Sequence, residues 1–282
     1  MITALLGTGA ALFSGTADFL GGRAASRISP FRATALSASA GLVILLFALP
    51  AFGGVLTQGA LTWGAIGGVV AASTVVLLYA SLAIGPMSVL APLTAIVAAI
   101  VPALYGVLIG ERLAPIGYSG LALALVAVVL VGLVPHREAL RPRPLGLLLA
   151  ACAGLSMGTG LIVLDRTPGD SGILPLVFAR VVSIGIMALV IVVATRRRTT
   201  TKSGWRAGLR WGLAAGLFAA VADVLMLIGV RVGEVSVIGV LVALCSAVTV
   251  VLATIILRER LAPPQIAGLV LALVAAGLLA AG

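Results

Sequence analysis

The stretch ERLAPIGYSGLALALVA, residues 111–127, returns later in the chain as ERLAPPQIAGLVLALVA, residues 259–275. The two copies lie 148 positions apart, and the likeness continues on both sides of them. Aligning Tyr79–Leu133 with Leu227–Ala281 gives 20 identities in 55 positions. A chain this rich in Ala, Leu, Val and Gly would match at roughly six positions by chance, so a fixed spacing of this quality indicates an internal repeat.

The composition around these repeats is that of a membrane protein. Of the 282 residues, 62% are hydrophobic and only 9% are charged. The mean hydropathy is +1.29. A soluble domain carries about 25% charged residues because its surface faces water. The net charge of +10 sits mainly in short connectors, as membrane topology requires, so it does not indicate a nucleic-acid partner.

Ten apolar runs lie between Gly, Pro and charged residues, and most have the roughly 20 residues that a helix needs to cross about 30 Å of hydrocarbon. Backbone groups in lipid must bond internally, and the runs lack strand-like alternation, so they are predicted to be helices. The runs are Ile2–Leu20, Phe31–Phe52, Leu61–Ile84, Met87–Ile109, Ile116–Val134, Leu145–Leu164, Ile173–Ala194, Leu209–Val230, Val235–Leu257 and Ile266–Ala281.

A unit of five spans is odd in number, so its second copy enters the membrane from the opposite side. The predicted fold is an all-α membrane protein with ten transmembrane helices in two inverted five-helix repeats. The first repeat is expected at residues 1–134 and the second at 145–282, joined by a cytoplasmic connector at 135–144. The opening residues lack a basic leader and are predicted to be a retained first helix.

The basic residues predict the orientation. Connectors after the odd-numbered helices, with their flanks, hold fourteen Lys and Arg residues, and those after the even-numbered helices hold Arg112, Arg166 and Arg231. Basic connectors stay in the cytoplasm. Both termini of a protein in the inner membrane are therefore predicted to be extracytoplasmic.

Charged residues inside spans are costly and are the first candidates for a functional site. Arg180 in helix 7 and Asp223 in helix 8 each lie about seven residues from the predicted outer end, so an ion pair facing a central cavity is expected. Such a pair could serve substrate or proton binding, or could only pin the two helices together. Asp18 is expected near the inner end of helix 1, close to Arg23 and Arg32, as an interfacial ion pair, a gate or a carboxylate for a cationic substrate.

Several hydroxyl groups could also line a cavity, or could bond a carbonyl of their own helix instead. They belong to Tyr79, Tyr105, Ser73, Thr74, Ser246 and Thr249. Glu111 and Glu259 precede Arg-Leu-Ala-Pro turns and are interpreted mainly as helix ends. His136, Cys152 and Cys245 form no metal-spaced cluster, and no nucleotide-binding or hydrolase motif is present. No metal, cofactor or enzymatic activity is therefore predicted.

Particular segments of both halves carry a family resemblance. Tyr79-Ala-Ser-Leu-Ala-Ile-Gly-Pro86, the helix that ends at Gly110-Glu-Arg-Leu113, Phe178-Ala-Arg180 and Arg258-Glu-Arg-Leu-Ala-Pro263 resemble EamA-type units of the drug/metabolite transporter superfamily. The resemblance implies a secondary transporter that exports a small polar or amphipathic metabolite or drug by alternating access. Proton coupling and uniport are both open, as are monomer and homodimer. The alternatives are a flippase for a lipid or lipid precursor, and a non-transporting membrane sensor or assembly subunit.

Overall fold

The computed structural model describes residues 2–84, 87–110, 115–132, 144–196, 205–257 and 263–281, and within these ranges every regular element is helical. Eleven α-helices follow one another, with single 3₁₀ turns at Gly169–Ser171 and Trp205–Ala207. The helices are α1 (Ile2–Ala25), α2 (Pro30–Phe52), α3 (Gln58–Ile84), α4 (Met87–Leu108), α5 (Pro115–Gly132), α6 (Pro144–Asp165), α7 (Leu174–Arg196), α8 (Leu209–Val232), α9 (Val235–Ala243), α10 (Cys245–Leu257) and α11 (Pro263–Ala281).

Local sequence explains the sharpest of these helix ends. Ser29 caps α2, its hydroxyl accepting a hydrogen bond from Arg32 N at 3.3 Å, and Pro30 occupies the first turn, where no amide hydrogen is needed. The same helix ends at Gly53, whose φ of 60° suits a residue without a side chain. The next loop lies against the loop before α7, since Val55 N donates to Asp170 O at 2.9 Å.

Two helices depart most from the expected bounds, and α3 and α11 each begin three residues earlier than expected. Helix α1 continues five residues past Leu20 to Ala25, because Gly21 and Gly22 do not interrupt it and Ala24 and Ala25 are buried in the bundle. The predicted single helix Val235–Leu257 is interrupted at Leu244, giving α9 and α10. There Leu244 N bonds Leu241 O at 3.0 Å and Ala247 N bonds Leu244 O at 2.9 Å, both three residues back rather than four.

The packing of the helices repeats with a period of five helices, counting α9 and α10 together as one unit. Helix α1 packs on α8, and its repeat counterpart α6 packs on α3. The contact of α3 with α7 corresponds to that of α8 with α2. The contact of α6 with α4 corresponds to that of α1 with α9 and α10. Helices α2 and α7 pack on each other, as do α5 and α11. Exchanging the two halves therefore leaves this set of helix contacts unchanged.

Two pairs of glycines show the same relation at the level of single residues. A Cβ added to Gly68 of α3 would lie 2.6 Å from Ala179 O and 2.7 Å from Val182 Cβ of α7. Its counterpart 148 residues later, Gly216 of α8, meets Ser37 O and Ala40 of α2 in the same way. Gly64 and Gly212, one turn earlier, make matching close contacts on these helices. Small residues at these crossings let the backbones approach, as is common between membrane helices.

Five described helices are long enough and apolar enough to cross a membrane. They lie at Pro30–Phe52, Gln58–Leu78, Pro144–Asp165, Leu174–Val193 and Leu209–Val232. Their outward faces carry large apolar side chains, such as Phe47, Leu189 and Leu217, which are 81%, 65% and 44% exposed. The apolar surface that the composition requires is thus turned outwards, toward lipid.

Candidate functional site

A cavity of about 210 Å³ lies between helices from both halves of the chain. Its wall combines α1, α2 and α3 with their repeat counterparts α6, α7 and α8. The lining is mostly apolar and includes Trp63, Val75, Leu78, Met157 and Met226. A few convergent polar groups in an otherwise apolar cavity are typical of a small-molecule site. The charged groups among its described lining residues are Asp18, Arg180 and Asp223.

Arg180 and Asp223 form an ion pair on this wall. Arg180 Nη2 donates to Asp223 Oδ2 at 2.5 Å, and the two side chains are 13% and 26% exposed. The structure thus brings together the two intramembrane charges that the sequence placed at a common depth. Both residues belong to the second half, and the position 148 residues before Asp223 is Val75, so the pair has no counterpart on α3.

The route of the Arg180 side chain depends on a glycine. Helices α7 and α8 both pack against α2, and Gly41 of α2 lies beneath the guanidinium. A Cβ at Gly41 would stand 3.2 Å from both Cζ and Nε of Arg180 and 3.4 Å from Gly216 O. The missing side chain therefore leaves the space through which Arg180 reaches Asp223. Sequence reasoning did not identify Gly41, because one glycine among 35 carries no local signal.

Asp18 lies further from the end of its helix than the apolar run Ile2–Leu20 implied. Because α1 continues to Ala25, Asp18 is seven residues from the end of the helix, or roughly 10 Å at 1.5 Å per residue. It lines the cavity and accepts a hydrogen bond from Cys245 Sγ of α10 at 3.8 Å. Arg23, one of its two expected partners, instead stacks on Trp211 of α8 at 5.0 Å from the ring centre.

A smaller cavity of about 20 Å³ also borders Asp18. Asp18, Leu78 and Met157 line both cavities. The remaining wall of the small one includes hydroxyl and thiol groups, from Thr94, Cys245, Ser246 and Thr249. Asp18 thus lies where the large cavity meets a small recess between α1, α4 and α10. Of the hydroxyl candidates, Ser246 and Thr249 are placed here.

The hydroxyl candidates differ in their positions and hydrogen bonds. Thr74 lines the main cavity and bonds Val70 O at 2.9 Å and Ser156 Oγ at 2.9 Å, whereas Ser73 is exposed and bonds Val69 O. Thr249 donates to Cys245 O, one turn back in its own helix, and to Gly15 O across the contact with α1.

Tyr105 lies outside the lining of both cavities. Its hydroxyl accepts from Arg166 Nε at 2.7 Å and donates to Asp165 Oδ2 at 3.5 Å, where α6 ends. The Tyr79 side chain, Glu111 and Glu259 fall outside the described part of the chain. Among the residues that the structure does describe, no three His, Cys, Asp or Glu side chains are grouped so that they could hold a metal ion.

Known proteins resemble this chain over nearly its whole length. A model of the EamA-like transporter family matches twice, at residues 1–133 and 144–281. A solved structure titled only "Crystal structure of protein" is similar with a TM-score of 0.74 at 20% sequence identity. The alignment covers 98% of this chain and 95% of that one, and at this identity it supports the fold alone. No curated protein sequence matches significantly.

Proposed function

Because the chain belongs to the EamA-like transporter family, a family of multi-pass membrane proteins, we propose that it is a secondary transporter that moves a small polar or amphipathic molecule by alternating access. Ten spans in two inverted halves enclose the site, and export is the proposed direction. Inverted repeats with a substrate site between them are common among secondary transporters. The substrate class is one whose apolar part fits the Met- and Val-lined wall and whose polar group reaches the charged residues.

The observation that carries the proposal is the placement of three charges in one cavity between the halves. Arg180 and Asp223 neutralise each other, while Asp18 contacts a thiol rather than a guanidinium. With Asp18 ionised, this part of the cavity carries one net negative charge, which favours a substrate with a cationic group or a coupling proton. We assign Asp18 to that role and the Arg180–Asp223 pair to holding the substrate's polar end.

Reconstituted liposomes test the proposal. Vesicles with purified protein are loaded with a mixed pool of amino acids, amines, nucleosides and organic anions, with and without an imposed pH gradient, and efflux is followed by mass spectrometry. Selective efflux of one class over empty vesicles is the expected result. Movement of labelled phospholipid between leaflets, with no metabolite efflux, would indicate a flippase instead. Neither activity at any gradient would contradict a transporter.

Filling the cavity without disturbing the helix contacts should block this transport. Gly67 lines the cavity, and a Cβ there meets only Val163 and Ala179, at 3.6 and 3.9 Å, which are ordinary contact distances. Gly67→Leu is therefore expected to fold while losing most transport, roughly tenfold or more for about 1.4 kcal/mol of lost binding. Gly67→Ala serves as the matched control. Equal transport rates in Gly67→Leu and the unaltered protein would place the substrate path elsewhere.

The orientation is a separate prediction, made from the excess of fourteen basic residues over three. Alkaline phosphatase becomes active only on the oxidising side of the membrane, so a fusion to Gly282 should be active. A fluorescent protein fused at the same residue should be dark. A fusion within the Arg196–Lys202 connector should show the reverse pattern, since that connector is predicted to be cytoplasmic. The opposite result at Gly282 would reverse the proposed orientation.

A further inference from the structure

Away from the cavity, arginines gather around two tryptophans where α1 ends and α2 and α8 begin. The Cζ atoms of Arg23, Arg27 and Arg210 lie 5.0, 5.5 and 5.2 Å from the centre of the Trp211 ring. Arg32 is stacked on Trp205 in the same way, at 5.5 Å. We call these six residues, together with the exposed Arg206, the arginine–tryptophan cluster. Its guanidinium groups come from α1, the turn after α1, α2, the 3₁₀ turn at Trp205–Ala207 and α8. The fold, and not one basic run of sequence, therefore assembles the cluster.

We propose that the arginine–tryptophan cluster binds the phosphate headgroup of an anionic phospholipid. A guanidinium group can donate two parallel hydrogen bonds to the oxygens of one phosphate. Several guanidinium groups close together can therefore bind the same phosphate through many hydrogen bonds. Tryptophan prefers the membrane interface, where one side of its ring meets apolar chains and the N–H meets polar headgroups. Basic residues that only set the orientation of a transmembrane helix do not need to gather around aromatic rings.

The charge of the cluster supports an anionic ligand. Arg23, Arg206 and Arg210 have no carboxylate partner among the described residues. Of the described carboxylates, Asp18 and Asp223 face the cavity. The loop that holds Asp170 contacts Arg231 at the far end of α8, through Pro168 O and Ser171 Oγ. Positive charges held this close together repel each other, and a phosphate between them would reduce that repulsion.

Two donors at the centre of the cluster also need an acceptor. Arg23 Nε and Trp211 Nε1 are covered from solvent and have no hydrogen-bond partner within the described part of the chain. A buried donor without an acceptor is unfavourable, because it has lost its bond to water and gained nothing in return. Phosphate oxygens accept hydrogen bonds, so a bound phosphate would supply the acceptor that these N–H groups lack.

An apolar stripe beside the cluster favours a lipid over free phosphate. Trp205, Leu209, Leu213 and Leu217 follow one another at intervals of four residues, and each is at least 40% exposed. At this spacing Leu209, Leu213 and Leu217 share one face of α8, and Trp205 precedes them in the 3₁₀ turn. Arg206 and Arg210 lie next to the first two of them and are exposed as well. A headgroup on the arginines would therefore place its acyl chain along this stripe of α8.

Native mass spectrometry of the delipidated full-length protein tests the assignment. Phosphatidylglycerol is expected to bind at least fivefold more tightly than phosphatidylcholine with the same chains. Arg210 is exposed, so Arg210→Gln should fold normally, and it should weaken phosphatidylglycerol binding about fivefold, as expected for one basic residue near a charged headgroup. Arg197→Gln removes the same charge from the connector between α7 and α8 and should have no effect.

Two further measurements distinguish lipid binding from the binding of free phosphate and from a general effect of positive charge. Trp211→Leu keeps an apolar side chain but removes the ring and its N–H, and it should also weaken phosphatidylglycerol binding. Inorganic phosphate at millimolar concentration should neither bind nor displace the lipid. Equal binding of the two lipids, an unchanged Arg210→Gln variant, or displacement by inorganic phosphate would each overturn the proposal. None of these measurements depends on transport.

Discussion

Replacing Asp223 with asparagine is expected to reduce transport about 30-fold or more, since removing one partner of a desolvated charge pair costs about 2–5 kcal/mol. The protein should still fold and insert, because asparagine keeps the size and the hydrogen-bonding ability of the side chain. What changes is the charge of the cavity, where Arg180 is left without its carboxylate 2.5 Å away. The measurement is efflux of the substrate class found in the liposome assay.

A double variant separates binding from structural support. Arg180→Met with Asp223→Leu replaces the ion pair by two apolar side chains, an exchange that is often neutral or stabilising for a buried pair. If the pair binds substrate, this protein should express well and still fail to transport. Full transport by the double variant would show that the pair only holds α7 and α8 in place.

Gly41 offers a test that leaves both charged residues in the chain. In Gly41→Val the added side chain would begin 3.2 Å from Arg180 Cζ and would push the guanidinium away from Asp223. A partial loss of transport, smaller than that of Asp223→Asn, is expected. Gly185→Ala, on the same helix as Arg180, meets no atom within 4 Å and provides the matched control.

A large effect on stability is expected at the crossing of α3 and α7. In Gly68→Val the new Cβ would lie 2.6 Å from the backbone oxygen of Ala179, which cannot move without its helix. The crossing is also held by Ser183 Oγ, which donates to Gly68 O at 2.9 Å and would be separated from it. Overpacking costs about 1–3 kcal/mol, and a backbone clash belongs at the upper end of that range.

Thermal unfolding in detergent measures this effect. A loss of about 3 kcal/mol corresponds to a melting temperature lower by roughly 6–12 °C for a chain of this size. Gly216→Val, at the equivalent crossing of α8 and α2, should cause a similar loss because the contacts repeat. Gly185→Ala should leave the melting temperature unchanged or slightly higher, since alanine favours helix by about 0.5–1 kcal/mol over glycine. Equal melting temperatures for all three variants would contradict the packing described for these glycines.

The helix bounds show how far local sequence information reaches. Charged residues and prolines mark where a span leaves the lipid. For this reason α2, α4, α5, α6, α7 and α8 begin and end within two residues of the apolar runs. The end of α1 and the interruption at Leu244 were not predicted. Gly21 and Gly22 suggested a stop, but the continued helix packs against its neighbours. No Gly or Pro marks the interruption at Leu244. The carbonyl of the next residue, Cys245, lies against Gly15 of α1.

The same division holds for the candidate site. Arg180 and Asp223 could be paired from sequence because charges in apolar runs are rare and each needs compensation. Asp18 was assigned to arginines that are near in sequence, whereas its observed contact is Cys245, 227 residues away. Tyr105 was grouped with the cavity because its hydroxyl lies in a span, yet it bonds Arg166 and Asp165 at the end of α6.

By itself the amino-acid sequence determined that this protein is an all-helical membrane protein of two related halves. Hydrophobic composition, run length and a 148-residue repeat are properties of the chain that need no knowledge of which helices touch. Only the tertiary structure decided which side chains share a cavity, because the helix contacts depend on where small residues let backbones approach. Gly41, Gly68 and Gly216 lie at such contacts. Gly64–Gly68 and Gly212–Gly216 have the four-residue spacing typical of close helix packing, but that spacing does not say which helix each glycine meets.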